Sequence, residues 1–150
     1  MILTLFVSCI SVQRSNMDFV TAQNSSNSEM VAVNLPTALA KPFIIKGLKK
    51  DKESKDVIKV FKGIKKVKIL TITKADKIID EDFKYFMSKN NFQELMKVNS
   101  EGNKISINGK YNKEMIERLL LEIKSSENEV VYIDLKGKFK FEDIAKAMEK

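Results

Sequence analysis

The chain has 150 residues, enough for one domain around a single core, with 27 Lys and Arg against 20 Asp and Glu, a formal charge of +7. No histidine and only one cysteine occur, which excludes an intrachain disulfide, histidine acid–base chemistry and Ser–His or Cys–His nucleophiles. Of the basic residues only Arg14 and Arg118 are arginine; lysine is a hydrated point charge, ill suited to the bidentate contacts of nucleic-acid readers, so a solvated surface is expected.

Met1–Ser8 is apolar and ends in a small residue before Cys9. That resembles a bacterial lipobox, in which a peptidase cuts before a cysteine whose sulfur carries a diacylglycerol. Phe6 departs from the usual leucine, and the run lacks a basic start and is too short to span a bilayer. Ile10–Glu29, with its Gln23–Ser28 run, is rich in Ser, Asn and Gln and has no hydrophobic period. The expected layout is a signal-peptide remnant at 1–8, lipidated Cys9 with a flexible polar tether over 9–29, and one domain over 30–150. Such a tether has a mean reach of about 25 Å.

Met30–Asn34 reads as a strand. Pro36 opens a helix running to Leu48, which Pro42 kinks or breaks. Lys49–Lys55 is a charged loop, and Ser54 caps a helix striped by Val57, Phe61 and Ile64. Val67–Thr73 alternates as a strand. Asp80, Glu81 and Asp82 then open a helix striped by Phe83, Phe86 and Met87. That acidic trio is weighed as a divalent-cation site, but three consecutive helical residues cannot converge on one ion, so complementing the helix dipole is its expected role.

Phe92–Val98 and Ile105–Asn108 alternate about Asn99–Asn103, predicting a hairpin with Gly102 at positive φ and Glu94, Met96 and Val98 on one side. Asn112 is placed to cap a helix on which Met115, Ile116, Leu119, Leu120 and Ile123 fall at helical spacing, with Glu114 four residues before Arg118. After a break at Ser125–Asn128, Val130–Leu135 is a β-branched strand ended by Gly137. Phe141, Ile144, Ala145 and Met148 stripe a closing helix. Lys136–Phe141 superficially matches an RNA-binding strand, but its aromatics are not at mid-strand and arginine is missing.

The run ELMKVNSEGNKISI, the Leu-rich segment after it, the acidic turn and EVVYIDLKGKFKFEDIAK resemble the domain of unknown function 4252 family, uncharacterised bacterial proteins often bearing lipoprotein signals. The resemblance spans Phe92–Lys150 clearly and Met30–Asn91 more weakly. It carries no catalytic signature; it implies localisation and fold rather than activity.

Val57–Met87 and Met115–Met148 also share an order of helix, break, strand, loop and helix, a faint internal repeat. The element order predicts an α+β, two-layer ferredoxin-like (βαββαβ) sandwich, with an extra N-terminal strand and helix and a C-terminal helix. The expected function is a non-enzymatic binding or accessory module in the envelope of a Gram-negative bacterium. It is anchored to the membrane through Cys9, faces the periplasm and works through its sheet surface or an exposed edge. An envelope protein is the partner class open to it. No cofactor, metal or nucleic acid is expected. The alternative is a cytoplasmic, basic nucleic-acid-binding domain with the same ferredoxin-like fold.

Overall fold

A computed structural model describes residues 16–20, 29–35, 55–100 and 102–147. Cys9, the helix expected after Pro36 and the Ser54 cap lie outside them. The described elements are β1 (Glu29–Leu35), α1 (Lys55–Lys62), β2 (Ile64–Thr73), α2 (Lys77–Lys89), β3 (Gln93–Ser100), β4 (Asn103–Asn112), β5 (Met115–Lys124), β6 (Val130–Phe139) and α3 (Phe141–Ala147). The strands form one antiparallel sheet in the order β1-β2-β6-β5-β4-β3. This is not the ferredoxin-like βαββαβ sandwich: four consecutive strands form a meander, and helices cover both faces.

The decisive departure is at Met115–Lys124, expected as a helix and found as β5. A register shift between Ile116 and Arg118 puts Ile116 and Leu119 into the same core cluster. In a regular strand, residues three apart point to opposite faces; the irregularity therefore imitates a helical i, i+3 pair. Leu119, Leu120 and Leu121 form a continuous apolar run because both faces of this central strand are covered. Asn112 caps nothing; it pairs with Met115 across a tight turn in which Lys113 takes φ 60°. The repeat fails with this helix, since its first half supplies α1 where its second supplies β5.

Gly137 does not end β6, which runs on to Phe139. A Cβ on Gly137 would collide with the Gly63 carbonyl; the glycine lets the two strands close up where Lys138 N–H donates to Gly63 O (3.0 Å). The β3–β4 hairpin forms as expected, with Gly102 at φ 81°. A shift between Glu94 and Met96 nevertheless turns Glu94 to the polar face opposite Asn108, while Met96 and Val98 face Ile107 and Ile105.

Cross-strand partners share a face, so the registers sort the core into two layers. On the first face Met30, Leu70, Ile72, Leu120, Val130 and Tyr132 pack beneath Ile79 and Phe83 of α2. Met17, Phe19 and Val20, assigned to the tether, are buried in this same layer. Phe19 stands edge-on to Phe83 (5.2 Å) and Tyr132 (4.7 Å). The packed domain thus includes residues 16–20, and any free tether after Cys9 is correspondingly shorter. On the second face Ile64, Ile107, Ile116, Leu119 and Phe139 pack against Ile144 of α3, with Val60 and Phe61 of α1 alongside.

Candidate functional site

The first face changes character across the sheet. Beneath the N-terminal half of α2 it is apolar, through Met30, Leu70, Ile72 and Val130; over β3, β4 and β5 it carries Glu94, Lys97, Asn99, Lys104, Ser106, Asn108, Glu122 and Lys124. Between that polar surface and α2 lies a cleft of about 660 Å³, a size typical of small-molecule sites. Phe83, Met87 and Phe92 form an apolar wall, and four lysines, Lys84, Lys97, Lys104 and Lys124, line it with two carboxylates, Glu94 and Glu122, and Ser106.

The registers fix how these charges meet. Lys104 lies directly opposite Lys124, Ser106 opposite Glu122, and Lys97 opposite Ser106. Like charges directly opposite on one face destabilise a sheet, and among the described residues carboxylates within ion-pair distance compensate Lys124 but not Lys104. Lys124 Nζ contacts Asp80 Oδ1 at 2.6 Å and Glu122 Oε1 at 3.7 Å. Burial works against the Lys124 charge, but these carboxylates outweigh it and hold its pKa above the ordinary value. Asp80 likewise resists burial through Lys124 and through Lys84 (3.2 Å), and its pKa is lowered. Among the described residues Lys97 pairs with Glu94 alone, in a long, exposed contact at 3.6 Å. Such exposed pairs contribute little, so Lys97 and Lys104 keep most of their positive field for a ligand.

Beneath the cleft the polar groups are satisfied. Glu122, 7% exposed, accepts from Tyr132 Oη at 3.2 Å. Burial first, and the neighbouring Asp80 charge, raise its pKa, while Lys124 opposes. Burial and the Glu122 charge likewise push the Tyr132 hydroxyl well above its ordinary range. Asn108, fully buried, donates to Leu120 O (3.1 Å) and Ser106 Oγ (3.2 Å). Arg118 forms a two-pronged pair with Asp134 (2.9 and 2.8 Å) and stacks near the Phe86 and Phe92 rings. The hydrogen-bonded Asp134 raises the Arg118 pKa further. This replaces the expected Glu114–Arg118 helix pair.

The sequence model of the family described as Domain of unknown function (DUF4252) matches residues 15–147. The chain belongs to that family. No curated protein and no solved structure matches it.

In this DUF4252 domain α2 begins at Lys77 behind Asp76, which accepts from Ile78 N–H (2.9 Å). Asp80 falls in the first turn as expected, ahead of Glu81 and Asp82, and pairs with Lys84 and Lys124. Phe139 is 3% exposed and offers no stacking face for a base. Cys9 lies outside the described residues. The lysine cleft escaped sequence reading because its members are scattered from 84 to 124. Their juxtaposition follows from the β3–β4–β5 register, and the helix expected at 115–124 hid that register. The alternation Lys104, Ser106, Asn108 was the one available signal.

Proposed function

We propose that this DUF4252 protein is a non-enzymatic binding module of the cell envelope, held by lipid on Cys9 and facing the periplasm. Its cleft between α2 and β3–β4–β5 takes an organic anion with an apolar body. The observation that carries the ligand class is Lys104 directly opposite Lys124 on the cleft floor, with Lys84 and Lys97 beside them and Phe83, Met87 and Phe92 opposite. An anionic group relieves that repulsion, and a hydrocarbon or aromatic portion covers the apolar wall. What supports the anchor is Ser8-Cys9 after an apolar run, with the family match starting beyond it at residue 15.

Isothermal titration with octyl phosphate below its micellar concentration tests the ligand class. The expected result is saturable binding that octyl glucoside does not reproduce, weakened at least about tenfold by Lys97→Glu with Lys104→Glu, a loss of about 1.4 kcal/mol. Equal affinity for both compounds, or no effect of the substitutions, contradicts it. Metabolic labelling with a palmitate analogue tests the anchor: label enters the wild type and not Cys9→Ala, and equal labelling removes it.

A further inference from the structure

At the opposite end of the first face from the Lys104–Lys124 pair, the registers align a second set of cations. Lys66 is opposite Lys136, Lys136 opposite Arg118, and Arg118 opposite Lys110. Four neighbouring strands, β2, β6, β5 and β4, therefore each place one basic residue in a single row perpendicular to the strands. At the usual strand spacing the row is about 14 Å long. Arg118 lies beside the Phe86 and Phe92 rings and is neutralised by Asp134, with the charges of Asp18 and Glu117 nearby, so the lysines carry the field of the row. Among the described residues no carboxylate lies within ion-pair distance of Lys66, Lys110 or Lys136. Like charges directly opposite one another in a sheet carry a standing cost. The natural complement of a flat line of lysines is a flat array of phosphates.

The N-terminal end of the described domain lies beside this row. Asn16 Nδ2 donates to Asn34 Oδ1 (2.8 Å) and Val33 O (3.1 Å), and Asn34 is the cross-strand partner of Lys68. Lys66 lies two residues further along that strand, about 7 Å away. Seven Cα–Cα steps, through residues 10–15, separate Cys9 from Asn16 and span at most about 25 Å. A lipid on Cys9 thus keeps this end of the sheet within reach of the bilayer; the cleft begins at Phe92, beside Arg118, but its Lys104–Lys124 pair lies about 20 Å away along β5, from Arg118 to Lys124.

We propose that the Lys66–Lys136–Arg118–Lys110 row is a membrane-facing surface that lies on anionic phospholipid headgroups. It orients the domain with the Lys104–Lys124 end of the cleft pointing away from the bilayer. The inference rests on the lipid anchorage proposed for Cys9. Each lysine near an anionic lipid surface favours contact roughly fivefold, so three act together as a weak orienting force on a chain already anchored.

The single thiol allows a test that does not depend on cellular lipidation. The full chain is coupled through Cys9 to maleimide-headgroup lipid in phosphatidylcholine vesicles, with or without phosphatidylglycerol. Lysine acetylation rates are then read by mass spectrometry. The expected result is that phosphatidylglycerol slows Lys66, Lys110 and Lys136 roughly fivefold and leaves Lys97 and Lys104 unchanged. In Lys66→Glu with Lys136→Glu, the protection of Lys110 disappears. Equal rates on both vesicles, or protection at Lys97 and Lys104 instead, overturns the surface. Because coupling is chemical, failure of the cellular labelling test removes the anchor without altering this outcome.

Discussion

Glu122 holds a buried carboxyl between Tyr132 and Lys124, and burial raises its pKa above the ordinary 4.5. Since the folded state holds this proton more tightly than the unfolded chain, its contribution to stability is complete below about 4.5 and is lost as pH rises through the folded value. Asp80 has the reverse sign: its lowered pKa stabilises above the ordinary 3.8 and is lost as pH falls through the folded value. Glu122→Gln keeps an acceptor for Tyr132 and leaves Asp80 to Lys124. Thermal melts across pH are therefore expected to show the variant more stable than wild type at neutral pH, the two converging below about 4.5. A variant that is less stable at neutral pH, with an unchanged pH profile, contradicts the burial argument.

At the scale of elements, what was legible in the sequence was whatever one face and one period could express. β1, β2, the β3–β4 hairpin and α3 stand close to their expected places, because strict alternation, Gly102 and the Glu142–Asp143 opening are local signals. β5 was not legible. Burial on both faces removes alternation, and the shift at Ile116–Arg118 brings residues three apart to one side. The turn before it uses Lys113 at positive φ rather than glycine, so the hairpin signal was missing as well. Gly137 misled for a related reason: a glycine that permits close backbone approach looks, in sequence, like one that ends a strand. Gly137→Ala forces β6 away from Gly63. It is expected to lower the unfolding free energy by about 2 kcal/mol or more, seen as a lower denaturant midpoint with an unchanged slope. A neutral Gly137→Ala contradicts the close approach.

For the whole molecule, one sheet carries three surfaces with different chemistry. The second face is given over to α1 and α3 and is apolar throughout its core. The first face is apolar under α2 and the Met17–Val20 segment, and charged where α2 leaves the sheet. Basic residues collect at both ends of that charged region, the Lys104–Lys124 pair at one and the Lys66–Lys110 row at the other. Basic residues separated in the sequence thus become two local clusters once the registers are set. Neither cluster is legible before β5 is recognised as a strand, since Lys104–Lys124 and Arg118–Lys136 become neighbours only through it.

The most direct test of the cleft is an amide chemical-shift map of the full chain titrated with octyl phosphate. Perturbations are expected to cluster at Lys84–Ser88, Lys97–Asn99, Lys104–Ser106 and Glu122–Lys124, leaving the α1–α3 face unmoved. Shifts that gather instead around Phe61, Leu121 and Ile144, or that never saturate, contradict an anion site between α2 and the meander.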